Sequence, residues 1–280
     1  MLIWPATRFV AGEEKDSAIA VVRDLNARGI SGSLDLLGEN VAEREAAQKA
    51  RDDYVSLLKG IADAGVDSNI SIKLTMLGLG IEPALARDHL VSILETARDT
   101  DNWVRIDMEG SGYTQLTLEL FYEVWGSFRN VGVVIQSMLR RSDADVDRLI
   151  AEGARVRLVK GAYKEPAPLA YQDKREVNAA FDRMAERLLE SGHHPALATH
   201  DDERIEHAIG HARERGIDPG HFEFQMLYGI RRETQEAIIR RGYGMRVYVP
   251  YGDQWLPYFY RRLRERKENV TFVLRSVLRR

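Results

Sequence analysis

Short apolar runs recur along this chain, and each stops on a polar residue. Ile70-Ser71-Ile72 runs into Lys73, Val104-Arg105-Ile106 into Asp107, Val133-Val134-Ile135 into Gln136, and Val156-Arg157-Leu158-Val159 into Lys160. Ala196-Leu197-Ala198 runs into Thr199-His200, Phe222-Glu223-Phe224 into Gln225, and Arg246-Val247-Tyr248-Val249 into Pro250 and a Tyr-Gly turn. With an earlier run that alternates through Leu34 and Leu36, these predict eight strands over 30–37, 69–74, 103–108, 131–136, 155–160, 195–199, 223–225 and 245–249. Helical periodicity fills the intervals. Ala18, Val21, Val22 and Leu25 share one face before the first strand, and that helix ends at Asn26-Ala27-Arg28-Gly29. Glu39-Asn40 can start a long helix to about Ala64, closed by Gly65. Pro83 opens a helix to about Arg98, another starts at Thr114, and Ser142-Asp143 reads as the cap of a short one. Pro166 and Pro168 make 161–172 a loop, after which helices are predicted over 173–191 and 253–267.

Strand-helix alternation without a hairpin signal predicts an α/β protein with a parallel sheet. Eight such units predict a (βα)8 TIM-type barrel, in which the polar strand ends converge on one mouth. The rival is an open doubly wound sheet, which would carry a glycine-rich first turn. There is no G-x-G-x-x-G and no G-x-x-x-x-G-K-[ST], and Gly110-Ser111-Gly112 lacks the third glycine. The 280 residues fit one barrel, typically ~250 residues, with a small addition. The expected division is an N-terminal helical arm over 1–29 and a barrel catalytic domain over 30–280, in one domain overall.

Composition narrows the chemistry. The chain has no cysteine, which excludes disulfides, thiolate metal sites and a cysteine nucleophile. A net charge of −3 argues against a nucleic-acid partner. No apolar run reaches the ~18 residues of a membrane span, and the N-terminus lacks the pattern of a signal peptide, so a cytoplasmic location is expected.

The densest chemistry lies in the tail. On a helix, Tyr258, Arg261, Arg262 and Glu265 share one face. The two guanidinium forks suit a carboxylate, with Glu265 holding Arg261; the alternative is a solvated, arginine-rich helix. Lys73 could bind an anion or form a Schiff base, and Lys73 with Asp107 could instead be a mutual salt bridge sealing the barrel top. Arg157 and Lys160 are three apart, so only one faces the lumen of a regular strand. Gly161-Ala162-Tyr163 could lie against a flat ligand, or be an ordinary loop. Gln136, Thr199 and His200 suit the edge of a heterocycle, although a lone strand-end histidine is more often structural. His207 and His211 lack the glutamate of H-E-x-x-H, with Ala208 in its place, and no metal is expected. Residues 270–280 mix apolar positions with Arg275, Arg279 and Arg280; such a helix could lie on an anionic membrane, but more commonly packs on the barrel exterior.

Taken in order, these stretches resemble the monofunctional bacterial proline dehydrogenases of the proline-utilisation flavoenzyme family. The resemblance is carried by Ser71 to Thr75, Arg105 to Glu109, Val156 to Tyr163, Ala198 to His200, Phe222 to Leu227, Arg246 to Pro250 and Tyr258 to Glu265, and covers roughly 30–270. It implies a modified barrel whose last helix caps the mouth, and noncovalent FAD. It implies oxidation of L-proline to 1-pyrroline-5-carboxylate by hydride transfer from C5 to flavin N5, with electrons passed to a membrane quinone. A peripheral contact with the inner face of the cell membrane follows, as does a separate pyrroline-5-carboxylate dehydrogenase to take the product. Asp107 and Arg157 take the catalytic positions. Lys73, Arg261, Arg262 and Glu265 form the substrate site with Tyr163, Leu227, Tyr248 and Tyr258. Met108, Gln136, Arg157, Lys160, Gly161, Ala162, Thr199, His200 and Gln225 would contact FAD. The chain departs from the family pattern at Asp201 and Arg266, where asparagine is expected. Two other functions fit a barrel with these residues: a Schiff-base lyase or aldolase using Lys73 or Lys160, and a non-catalytic amino-acid-binding module.

Overall fold

The structure is a computed structural model and describes residues 6–256. Among these, eight parallel strands close into a barrel in chain order, the last pairing back to the first. The strands are β1 (Ser31–Leu36), β2 (Ser68–Ile72), β3 (Val104–Ile106), β4 (Val131–Gln136), β5 (Arg155–Val159), β6 (Ala196–Ala198), β7 (Glu223–Leu227) and β8 (Gly244–Tyr251). The helix α1 (Lys15–Asn26) precedes them. The connecting helices are α2 (Arg44–Ala64), α3 (Pro83–Asp99), α4 (Ser111–Trp125), α5 (Ser142–Ala151), α6 (Lys174–Ser191), α7 (Asp202–Glu214) and α8 (Arg232–Arg240). The barrel expectation is met.

β2 and β4 are buried at every position, because one face meets the lumen and the other meets helices. α6 shows how the outer ring forms: Ala180, Phe181, Met184, Ala185, Leu188 and Leu189 make one buried stripe at the helical period. Gly65 ends α2 in the left-handed conformation, and Pro83 opens α3. α1 packs its buried Ala18, Val22 and Leu25 against the barrel. Val22 lies over the start of β1 at Gly32, where a Cβ would come within 2.7 Å of its Cγ2. The β-branched valine has little freedom to give way. Gly32→Ala is expected to cost about 1–3 kcal/mol by overpacking, read as a melting temperature lower by several degrees.

Several boundaries differ from the sequence expectation. α2 starts at Arg44, not at 39–40: Asn40 takes the left-handed conformation at φ 56° and donates its N–H to Thr75 Oγ1, so the chain leaves β1 as an ordered loop. Ser142-Asp143 does not cap α5. Ser142 Oγ donates to the Gln136 carbonyl, and Asp143 pairs with Arg183 and Arg187 of α6. β2, β3, β5 and β6 stop before their polar ends, which leaves Lys73, Asp107, Lys160 and Thr199 on the loops just above the sheet. β8 runs on through Tyr251, pairing with Leu36 of β1.

Candidate active site

Because all eight strands are parallel, their carboxyl ends open together. There they enclose a cavity of about 910 Å³. Every described residue that the resemblance assigns to catalysis, substrate or cofactor lies on its wall: Lys73, Asp107, Met108, Gln136, Arg157, Lys160, Gly161, Ala162, Tyr163, Thr199, His200, Gln225, Leu227 and Tyr248. Tyr258, Arg261, Arg262 and Glu265 lie outside the described residues, as do Arg266 and 270–280.

The floor is a web of buried charges. Arg157 crosses the lumen from β5. Its Nη1 donates to Asp107 Oδ1 at 2.9 Å and to Ser71 Oγ at 3.0 Å, and its Nη2 donates to Ser33 Oγ at 3.2 Å. The other oxygen of Asp107 accepts from the Tyr248 hydroxyl at 2.7 Å. Burial, and then the negative charges of Asp107 and Asp35, push the Tyr248 hydroxyl well above the ordinary phenol range, so it stays a donor. Arg157 is 3 % exposed, and its Nε is buried without a hydrogen-bond acceptor among the described residues.

Lys73 does not pair with Asp107. Its Nζ meets Asp35 Oδ1 at 2.6 Å, inside a floor where Asp35 is 1 % exposed and Lys73 8 %. Asp35 sits opposite Ser71 in the β1–β2 register, which brings its carboxylate under Lys73, while Asp107 is drawn across the lumen to Arg157. Burial alone would push the ammonium down, but the charges of Asp35 and then Asp107 outweigh it and hold Lys73 above its ordinary range. Asp35 was not foreseen as a site residue. The one signal for it was a carboxylate placed in the alternation between Leu34 and Leu36.

The walls are fixed by hydrogen bonds between loops. Gln136 Nε2 donates to the Glu109 carbonyl, and the buried Glu109 carboxylate accepts from the backbone and hydroxyl of Thr75. Burial raises the Glu109 carboxyl against those hydrogen bonds. Lys160 follows β5 on the loop, at the cavity wall. Its Nζ contacts Asn178 Oδ1 and Asp201 Oδ2, both at 2.6 Å. Asp201 also caps α7 by accepting from the Glu203 N–H. Burial would raise its carboxyl, yet the Lys160 hydrogen bond and charge hold it below the usual range. The departure at Asp201 therefore has a structural partner. Leu227 N–H donates to His200 Nε2, which assigns the ring proton to Nδ1, and Arg231 clamps the His200 carbonyl and Asp202.

The loop after β5 is also tied down. Glu165 accepts from the Ser111 backbone and hydroxyl at the start of α4. Gly161 has φ 117°, a conformation that favours glycine for the turn beside the cavity, and a Cβ there would also press on the Met138 side chain. His207 and His211 turn to Glu186 and Glu190 on α6 instead of to each other. Besides Asp35, the residues missed by sequence reasoning are Ser33 and Ser71 on the floor and Glu109, Lys174 and Arg231 on the wall.

The closed barrel with a charged floor beneath one mouth cavity defines an α/β-barrel enzyme. Residues 18–275 match the family model described as proline dehydrogenase, and the chain belongs to that family. It is 39% identical over 272 residues to proline dehydrogenase 2 of Bacillus subtilis, covering 97% of this chain and 90% of that protein. It is likewise 39% identical over 279 residues to the proline dehydrogenase of Deinococcus radiodurans, covering 98% and 90%. The crystal structure of proline utilization A (PutA) from Bdellovibrio bacteriovorus, inactivated by N-propargylglycine, superposes with a TM-score of 0.86 at 28% identity. That match covers 92% of this chain and 32% of the PutA chain, so this protein spans about a third of the longer one. The chain is accordingly an oxidoreductase of the family that the sequence resemblance named.

Proposed function

We propose that the protein oxidises L-proline to 1-pyrroline-5-carboxylate, using noncovalent FAD as the immediate electron acceptor and a membrane quinone as the final one. The observation that carries this reading is the pair of cations on the cavity floor, Lys73 and Arg157, each held by its own carboxylate. The residues present fit a flavin dinucleotide. The cavity of about 910 Å³ has room for one beside a small ring acid. Lys160, Lys174 and Arg231 on the wall suit phosphates, and Gln136, Thr199 and Gln225 suit a polar ring edge. The buried Arg157 Nε is a donor that such a ring would satisfy.

FAD, when bound, supplies the acceptor for the hydride that leaves C5 of proline. The chain's own residues do the placing. Lys73 has two N–H donors beyond the one on Asp35, and these would take the proline carboxylate together with Arg261 and Arg262, steadied by Glu265. Tyr163, Leu227, Tyr248 and Tyr258 would wrap the ring and exclude water. Met108, Gly161 and Ala162 would face the cofactor, with His200 beside them. Asp107 and Tyr248 hold Arg157 in one orientation, so its positive charge stands ready beside the reacting atoms without reorganising. Holding the ring and the cofactor in register would be the main contribution of these side chains to the rate. The amine proton would leave to solvent.

The Schiff-base alternative needs a neutral lysine. Lys73 is held as an ammonium by buried carboxylates, and Lys160 is engaged by Asp201 and Asn178. No helix of the described residues is long and apolar enough to cross a membrane. A quinone would therefore be met by peripheral contact, and a separate pyrroline-5-carboxylate dehydrogenase would take the product. The purified protein is expected to show a flavin absorbance spectrum that bleaches on anaerobic addition of L-proline. Colourless protein that borohydride traps as a substrate adduct would replace this reading with the lyase. Flavin-free protein that binds proline unchanged would replace it with a binding module.

A further inference from the structure

We infer that Asp35 is a positioning residue: its buried carboxylate holds the Lys73 ammonium against the mouth cavity, as a fixed counter-charge, so that the ammonium can take the carboxylate of the substrate. This rests on the proposed role of Lys73.

The geometry separates Asp35 from the other acids of the floor. Both oxygens of Asp107 are occupied, by Arg157 and Tyr248. Both oxygens of Glu109 are occupied by Thr75. Among the described residues, Asp35 is the carboxylate within hydrogen-bond distance of Lys73, at 2.6 Å. It sits on β1, the strand neighbouring β2, so a rigid ladder and not a loop sets its position. Both side chains line the cavity.

An ammonium buried to this degree keeps its proton only beside a negative charge. The charged and titratable groups facing the pair are Asp107 and Glu109 beyond β3 and Tyr248 on β8, whose hydroxyl also hydrogen-bonds Asp35; Arg157 on β5 stands behind them, against Asp107 and Tyr248. Tyr54 of α2 and Tyr251 of β8 also face Asp35, and burial keeps both as neutral phenols. Burial raises the Asp35 carboxyl and the Lys73 charge opposes it; Asp107 and Glu109 add smaller negative charge at Lys73 with their oxygens bonded elsewhere, so Asp35 is the nearest and largest counter-charge of Lys73. Asp35→Asn keeps the shape and removes the charge. Burial then acts on Lys73 with less opposition, and its pKa falls.

The test measures the dissociation constant of cyclopentanecarboxylate on the holoenzyme from pH 6 to 9. This ring carboxylate lacks the amine, and its charge is constant over that range. Wild-type affinity should be flat, whereas Asp35→Asn should weaken progressively toward the alkaline end, as the ammonium that has lost its nearest counter-charge gives up its proton. Lys73→Met should bind weakly at every pH. If Lys73→Met binds like wild type, the proposed role of Lys73 fails. If Lys73→Met binds weakly while Asp35→Asn loses affinity evenly or not at all, the role of Asp35 is overturned and the carboxylate is only structural. Should Asp35→Asn not fold, the wild-type profile still decides: affinity that already falls between pH 7 and 9 would mean that Asp35 does not hold the lysine charged.

Discussion

Arg157→Met is expected to lower the rate of flavin reduction by proline about 10²–10³-fold, which corresponds to roughly 3–4 kcal/mol of lost electrostatic stabilisation. Arg157 is 3 % exposed and its guanidinium is bonded to Ser33 of β1, Ser71 of β2 and Asp107 just after β3, so its charge stands in one place before substrate arrives. Methionine fills similar volume but leaves Asp107 with Tyr248 as its remaining partner on the floor. Arg157→Lys should rescue little, because a single ammonium cannot reach Ser33, Ser71 and Asp107 together. Single-turnover bleaching, followed in a stopped-flow instrument, separates this effect from substrate binding. A Met variant that bleaches at the wild-type rate would remove Arg157 from the chemistry.

The second large effect is on stability. Lys73→Met strands the Asp35 carboxylate at 1 % exposure, and removing one member of a buried pair typically costs about 3–5 kcal/mol. For a protein of this size that is a fall in melting temperature on the order of 10 °C. The double variant Asp35→Leu with Lys73→Met should regain most of the loss, since no unpaired charge remains, yet it should still have a high KM for proline. A single variant as stable as the double would show that Asp35 sheds its charge at no cost. The two measurements divide the pair's contribution to folding from its contribution to binding.

The elements were legible to differing depths. Long periodic segments such as α6 were predicted to within a residue, because one apolar stripe and an aspartate cap at Asp173 agree. The start of α2 was not, because the backbone of Asn40 is held by Thr75, a residue of a different loop. Ser142 and Asp143 have the composition of a cap, but Gln136 and the arginines of α6 claim their side chains. Local preference in both cases gave way to a partner distant in the chain.

The site divides in the same way. Polar residues that end apolar runs announced themselves, and the parallel barrel carried all of those described to one cavity. Pairing did not announce itself. Lys73 was weighed against Asp107 as a partner, and closure of the sheet gave it Asp35 instead. Asp201 read as a departure, and it became intelligible only when α7 brought it to Lys160. Hydrophobic period and strand-end chemistry are local properties of the chain, so the barrel, its family and the residues at its mouth could be read from the order of amino acids. Which charge neutralises which depends on strand register and ring closure, where partners as far as 141 residues apart meet on the barrel floor, and that was decided by the tertiary structure.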